Sequence, residues 1–254
     1  MQFEVLTDIG KKRTVNEDSV AVYTRPEGII LAIIADGMGG HQGGDFASST
    51  AINIIGEQFL KLDSSEFTTE EHWSDWLKEA FFHVNQLLYK HASLNVELKG
   101  MGTTLDAALI KDDSCLVTHV GDSRVYAINK EGVRQVTRDH SYVNVLLDSG
   151  EITEEEAAIH PQRNWIMKAV GSEKHIDPDI HSLELDDQTY LLMCTDGLSN
   201  KVDNRTIYDI IISDMELREK AVALIDLANQ LGGEDNISVV VLGPPNLEVV
   251  THDW

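Results

Sequence analysis

Seven apolar residues in a row, Ile29-Ile30-Leu31-Ala32-Ile33-Ile34-Ala35, stop at Asp36, and Gly37-Met38-Gly39-Gly40-His41 follows. A short unbroken apolar run is a buried strand, and a glycine-rich turn after it lets the backbone approach whatever the aspartate holds. Tyr190-Leu191-Leu192-Met193-Cys194-Thr195-Asp196-Gly197 repeats the arrangement. A third acid, Asp235 in Gly232-Gly233-Glu234-Asp235-Asn236, stands immediately before the apolar run Ile237 to Leu242. Any fold for this chain has to place three strand-end carboxylates, and the simplest reason to gather them is a divalent cation.

A cation held by all three requires one domain, because they span most of the 254 residues. No Pro-, Gly- or Ser-rich linker interrupts the chain, and a single domain of this size buries roughly three quarters of its unfolded surface. The net charge of −23 argues against nucleic acid and anionic membrane as main partners. Most of that acidity is ordinary solubilising surface, yet surface acids have no reason to favour the ends of apolar runs. Cys115 and Cys194 lie in apolar, strand-like runs without metal-binding spacing and are expected to be buried and reduced. No leader pattern and no apolar run of membrane-spanning length is present, so the expectation is a soluble cytoplasmic protein.

Strand patterns cover 3–7, 19–23 and the run to Asp36, with 11–18 as a polar loop. Two amphipathic helices follow, with stripes Phe46, Ala47, Thr50, Ala51, Ile54, Ile55, Phe59 and Trp73, Trp76, Leu77, Ala80, Phe81, Val84, Leu88. From Gly102 the period shortens. Strands over 103–110, 115–120, 124–128 and 132–136 have connections too short for parallel crossovers, which predicts an antiparallel meander. Residues 141–148 form a short helix stopped by Gly150, and Thr153-Glu154-Glu155-Glu156 is a capping box that opens another before Pro161. Polar insertions of this kind are often mobile elements over a site. Strands at 180–184 and 189–195, a helix over 215–230 and a strand at 237–242 complete the pattern, and the tail 244–254 is expected to be loose. Strands and helices segregate rather than alternate, so the class is α+β with antiparallel sheets.

Three clustered carboxylates stay ionised at neutral pH only with cations between them. Oxygen ligands select hard ions, Mg²⁺ or Mn²⁺. Two such ions about 3.5–4 Å apart activate a bridging water for in-line attack, chemistry that suits phosphate esters. One Asp-Gly pair alone reads more readily as a plain turn; two such pairs after apolar runs, with a third acid, do not. Competing motifs fail on spacing: a dinucleotide fingerprint from Gly37 needs glycine at Gln42, and no P-loop, EF-hand or nucleophile elbow is present.

The motifs carry a resemblance. Arg13 with Asn16-Glu17-Asp18, Asp36-Gly37-Met38-Gly39-Gly40-His41, Gly100-Met101-Gly102-Thr103-Thr104, Gly121-Asp122-Ser123-Arg124, Asp139-His140-Ser141, Thr195-Asp196-Gly197 and Gly233-Glu234-Asp235-Asn236 stand in an order that resembles the metal-dependent serine/threonine protein phosphatases of type 2C, in particular the short bacterial kind. The likeness covers residues 1–243. It implies a four-layer α-β-β-α sandwich of two antiparallel sheets flanked by helix pairs, with a flap at 141–170 near the metals. It also implies that Asp36 bridges two Mn²⁺ or Mg²⁺ ions, that the Gly37 carbonyl binds one, and that Asp196 and Asp235 bind the other. Asp122, with Asp196, matches a third-metal site. Arg13 matches the residue that holds substrate phosphate, in keeping with its bidentate fork, and Glu17 and Asp18 match residues that orient metal-bound waters. Animal members have histidine two residues after the bridging aspartate, where this chain has Met38. His41 lies nearby and reads first as bracing the loop, with protonation of the leaving oxygen as the competing role, and His140 and His160 are weaker candidates for that protonation.

The implied activity is hydrolysis of phosphoserine and phosphothreonine in proteins by direct attack of a metal-bridging water or hydroxide. The implied partners are phosphoproteins and a bacterial Ser/Thr kinase whose action it reverses, for a monomeric enzyme without nucleic-acid or membrane attachment. A silent binding domain on the same fold would be favoured by loss of a core acid, and all are present. A hydrolase of small phosphoesters would be favoured by a deep, closed flap.

Overall fold

The computed structural model describes residues 1–39, 43–63, 65 and 67–244. Among these the strands form two antiparallel sheets. One contains β2 (Asp18–Thr24), β3 (Ile30–Met38), β5 (Leu105–Lys111), β6 (Ser114–Val120) and β9 (Asp179–Glu184) in that order, with the two-residue β4 (Gly102–Thr103) on the end of β3. The other runs β1 (Phe3–Asp8), β11 (Ile237–Leu242), β10 (Tyr190–Cys194), β7 (Arg124–Asn129), β8 (Gly132–Gln135).

Strand periodicity explains the layering. On β3, Ile30, Ala32 and Ile34 meet Val240, Leu242, Leu191 and Met193 of the facing sheet. The alternate residues Ile29, Leu31, Ile33 and Ala35 pack on α1 (Gly44–Lys61) and α2 (Glu70–Leu94), through Ala51, Ile55, Phe59, Leu77, Phe81 and Leu88. In the other sheet Leu192, Cys194, Val239 and Val241 turn outward onto α6 (Asn204–Ile212) and α7 (Leu217–Gln230). Strands β3, β10 and β11 serve two cores each, which is why they read as unbroken apolar runs. Each fully buried Ile, Leu or Val adds about 1.5–3 kcal/mol, so the layers are held by many such contacts. The four-layer sandwich expected from the motifs is the fold found.

Several local expectations differ from the result. Residues 103–110 are not one strand: the ladder breaks at Thr104, between β4 (Gly102–Thr103) and β5 (Leu105–Lys111). The meander is divided, since β5 and β6 pair in one sheet and β7 and β8 in the other. The chain changes sheets at Gly121-Asp122-Ser123, where Gly121 takes φ +121°, a conformation that favours glycine. Strand β2 starts at Asp18, which was expected to end a loop. Phe46 is not part of the inward stripe of α1; it is 40% exposed and stacks on His91. Helices α5 (Asp196–Ser199) and α6 occupy a stretch that has no element in the sequence reading. Ile207, Ile210, Ile211 and Ile212 are β-branched and poor helix signals, whereas Asp203 caps α6 by accepting from the Thr206 N–H at 2.8 Å.

Helices α3 (Tyr142–Ser149) and α4 (Glu154–Ala158) begin and end as expected, with Gly150 left-handed at the end of α3 and the Thr153/Glu156 capping box at the start of α4. Both cysteines are free and buried. No helix among the described residues is long and apolar enough to cross a membrane. Of the expected loose tail, residues 245–254 lie outside the described residues.

Candidate metal centre

The acids converge because the rows that build the core run out at one end of the sandwich. Asp36 continues the inward row Ile30, Ala32, Ile34, and its direct cross-strand partner is Asp18 at the start of β2. Thr195 and Ser238 stand at the same end of the facing sheet. Both donate hydroxyl hydrogen bonds to Asp18 Oδ2, at 2.9 and 2.7 Å. Asp18 therefore crosses from one sheet to the other where apolar packing stops. Like charges directly opposite on paired strands destabilise each other, so the Asp18/Asp36 pairing is a cost that calls for compensation.

Asp36 is fixed through its peptide groups. Its N–H donates to Thr104 Oγ1 at 2.8 Å, and its carbonyl accepts from the Thr104 N–H at 2.8 Å and from Thr103 Oγ1 at 2.9 Å. The break between β4 and β5 thus frees Thr104 to replace ladder bonds with side-chain bonds. Thr104 Oγ1 also lies 2.8 Å from Ser123 Oγ, beside Asp122.

Gly37 is glycine for lack of space. A Cβ there would stand 2.1 Å from the Gly44 carbonyl oxygen. Its N–H donates to the Glu17 carbonyl at 3.1 Å, and the Glu17 carboxylate accepts from the Gly44 N–H at the first turn of α1. Negative charge there is favoured by the helix terminus. Gly197 is equally confined, with Asn236 O 1.9 Å from a built Cβ. That close approach sets Asp196, which opens α5, beside the start of β11. Asn236 binds loop 9–17 to this end: its side chain accepts from the Glu17 N–H at 2.8 Å and donates to the carbonyls of Ile9 and Val15 at 2.9 and 3.0 Å.

Asp196 Oδ2 accepts from Asn200 Nδ2 at 3.0 Å, and its carboxyl lies close to that of Asp36. Asp235 Oδ2 lies 2.8 Å from Arg13 Nη2, while Arg13 Nη1 is 3.9 Å from Glu17 Oε2. Asp122 and Asp196 line a cavity of about 220 Å³ closed on the other side by Asn144, Glu154 and Arg163 of the 141–170 segment. A larger cavity of about 490 Å³ beside Trp73 and Lys111 contains none of these acids.

The electrostatics are those of acids short of cations. Burial first, and then the neighbouring aspartates, raise Asp36 and Asp122 well above the carboxylate range. Burial lifts Asp18 to about 7 against the hydroxyl bonds from Ser238 and Thr195, and lifts Asp196 to about 6, with Asp235 adding to it. Asp18 Oδ1, Asp122 Oδ1 and Asp196 Oδ1 are buried with no hydrogen-bond partner among the described residues. Buried carboxylate oxygens left without donors are costly unless a cation meets them. The donors are all oxygen, which fits Mg²⁺ or Mn²⁺. Among the described residues no three His, Cys, Asp or Glu side chains are drawn tightly enough to enclose an ion alone. Carboxylates in pairs, with a carbonyl such as that of Gly37, would suit ions that keep several waters.

Of the residues singled out in the sequence, Asp18, Asp36, Asp122, Asp196, Asp235, Gly37, Glu17 and Arg13 lie at this one end. His41 lies outside the described residues. Sequence reasoning assigned no role to Thr104, Ser123 or Asn236, and named His140 only as a weaker candidate to protonate the leaving oxygen. Their signal was present, since each is a polar residue inside a quoted motif that ended up largely buried.

Comparison with known proteins places the chain in a family. The family model for Protein phosphatase 2C matches residues 10–232. A putative protein phosphatase 2C-type of Streptococcus pyogenes is 40% identical over 242 residues, covering 95% of this chain and 97% of the relative. Protein phosphatase PhpP of Streptococcus pneumoniae is 38% identical with the same coverage. The solved serine/threonine phosphatase of S. agalactiae superposes with a TM-score of 0.90 at 36% identity, over 94% of this chain and 98% of that one. The catalytic domain of the phosphatase PstP, solved in complex with two manganese ions, superposes with a TM-score of 0.80 at 34% identity, over 94% and 96% of the two chains. Metal-dependent catalysis is general in this group, and the present chain belongs to the protein phosphatase 2C family.

Proposed function

We propose that this protein removes phosphate from phosphoserine and phosphothreonine in proteins, using Mn²⁺ or Mg²⁺. Asp36, the Gly37 carbonyl, Asp196 and Asp235 would hold two core ions, and Asp122 with Asp196 a third. The observation that carries this reading is the set of buried carboxylate oxygens without donors around Asp36. Such ions supply positive charge to the phosphoryl oxygens and acidify a water for in-line attack. The chain's own residues do the positioning. Thr104 and Thr103 hold the Asp36 backbone, Asp18 and Glu17 would accept hydrogen bonds from waters on the bound ions, and Arg13, half-exposed at the rim, would bind phosphate on leaving Asp235.

Residues 1–243 would form a single catalytic unit with 141–170 as its flap. The protein would work in the cytoplasm as a monomer, on phosphoproteins modified by a bacterial Ser/Thr kinase. The test is hydrolysis of a phosphothreonine peptide by metal-stripped protein with and without Mn²⁺, beside Asp36→Ala and Asp196→Ala. Activity restored by Mn²⁺ in the wild type alone supports the proposal. Tight Mn²⁺ binding without hydrolysis would point instead to a silent binding domain.

A further inference from the structure

His140 lies at a junction that the chemistry above leaves unused. Its ring accepts at Nδ1 from the Gly121 N–H at 3.1 Å, and its own N–H donates to the Gly121 carbonyl at 2.7 Å. This reciprocal pair grips the residue before Asp122. Because Nδ1 is the acceptor, the ring proton of neutral His140 sits on Nε2, which faces Asp179 Oδ2 at 3.3 Å. Lys168 Nζ lies 3.4 Å from the same nitrogen.

The ring is held flat against His119, with centroids 4.7 Å apart and planes 24° from parallel. His119 is itself fixed by Asp106 Oδ1 at 2.5 Å and by the Arg138 carbonyl at 3.0 Å. Both His119 and Asp106 are fully buried. The imidazole therefore rests on a rigid platform of β5 and β6.

The main chain at the same point faces the other way. The His140 carbonyl accepts from the Met167 N–H at 2.7 Å, and the Tyr142 N–H donates to the Trp165 carbonyl at 2.8 Å. Asn144 Nδ2 of α3 donates to the Asp139 carbonyl at 2.7 Å, and the Asp139 carboxylate binds Arg124 Nε and Nη2, at 2.9 and 2.7 Å. His140 thus adjoins the start of the 141–170 segment, holds its far end through the carbonyl bond to Met167, and holds Gly121 beside Asp122 by both its backbone N–H and its ring.

We propose that His140 is a positioning residue that ties the 141–170 segment to the Asp122 loop, so that how this segment is seated sets where the Asp122 carboxylate stands. The inference rests on the reading of Asp122 as a ligand of a third ion. It assigns His140 no contact with substrate and no proton transfer.

The comparison that isolates the ring nitrogen is His140→Asn against His140→Gln, with His140→Leu as the full loss. Asparagine offers an acceptor near the position of Nδ1; glutamine carries its polar atoms one carbon farther, toward Asp179. Hydrogen exchange is measured on the metal-free full chain, over peptides covering 119–124 and 141–170. We expect His140→Gln and His140→Leu to raise exchange in both peptides together by about tenfold, and His140→Asn to stay near wild type, because only asparagine keeps the Gly121 N–H paired. On a phosphothreonine peptide with Mn²⁺, His140→Gln should lower kcat about as much as Asp122→Ala, and the double variant should fall no further.

Faster exchange in 119–124 with no change in 141–170 overturns the tie. So does an asparagine variant no better than glutamine, or losses that multiply in the double variant. If Asp122→Ala leaves activity unchanged, the third-ion reading fails, while the exchange comparison still decides whether the two segments are tied. The asparagine and glutamine variants preserve that decision if leucine prevents folding.

Discussion

Arg13 Nη2 and Asp235 Oδ2 meet at 2.8 Å, although 222 residues separate them in the chain. One is the candidate phosphate clamp and the other a candidate metal ligand. The pair is largely solvated, with side chains 46% and 34% exposed, and exposed pairs contribute about 0–1 kcal/mol. It is therefore cheap to open. On the proposed roles, each member would leave the other for a better partner, an ion for Asp235 and a phosphate for Arg13.

Arg13→Ala should accordingly separate two effects. Removing the guanidinium costs the substrate a bidentate contact, and KM for a phosphothreonine peptide should rise about tenfold or more. The same change frees Asp235, so Mn²⁺ affinity measured by calorimetry should be unchanged or higher. Weaker Mn²⁺ binding would mean that Arg13 supports the metal site rather than competing for it.

Neutralising the central acid should trade activity for stability. Asp36 lies among Asp18, Asp122, Asp196 and Asp235, and burial and those charges raise it well above its ordinary range. Asp36→Asn keeps the shape and removes the charge. Metal-free protein should gain about 1–3 kcal/mol by thermal unfolding at pH 7.5 while hydrolysis is lost. A less stable variant would mean that repulsion among these acids is already relieved within the protein.

The metal-free protein should lose stability as pH rises from 5.5 to 7.5. Asp18 at about 7 and Asp196 at about 6 titrate in the folded state far above their unfolded values near 4. The native state therefore binds more protons than the unfolded chain in this window, and stability falls with rising pH. His140, held down to about 4 by burial first and then by His119 and Lys168, and His181, also lowered by burial, act in the opposite sense. Asp36 and Asp122, raised like Asp18 and Asp196, leave the acids dominant. The expected net fall is about 2 kcal/mol or more. Saturating Mn²⁺ should abolish it, which unfolding scans with chelator and with Mn²⁺ would measure.

Thr104→Val tests the hold on Asp36. Valine fills the same space but leaves the Asp36 N–H without its 2.8 Å acceptor and breaks the link to Ser123. The cost should be about 1–3 kcal/mol of stability, with a fall in kcat that Thr104→Ser largely restores. Equal activity in the two variants would show that the hydroxyl does not position Asp36.

Much of this was legible along the chain. The apolar runs of β3, β10 and β11, each with its aspartate, are visible because strands that serve two cores must be apolar throughout. The stripes of α1 and α2, the cap of α3 and the capping box of α4 are likewise local, decided by residues three or four apart. Helix α6 was not legible, because its isoleucines carry no helix preference and only packing on the β10–β11 sheet makes them helical. Nor was the division of the meander, since the turn at Gly121 looks locally like any hairpin turn.

By itself, then, the sequence determined which residues would end the central strands, and through the order of its motifs, the family. Only the tertiary structure decided what those residues touch. Asp18 faces Asp36 because strand register sets them opposite, Arg13 reaches Asp235 because loop 9–17 folds onto the start of β11, and His140 meets Gly121 because the chain changes sheets there. Periodicity is written in near neighbours, whereas these contacts join residues far apart in the chain, whose meeting depends on how the two sheets and their connections pack.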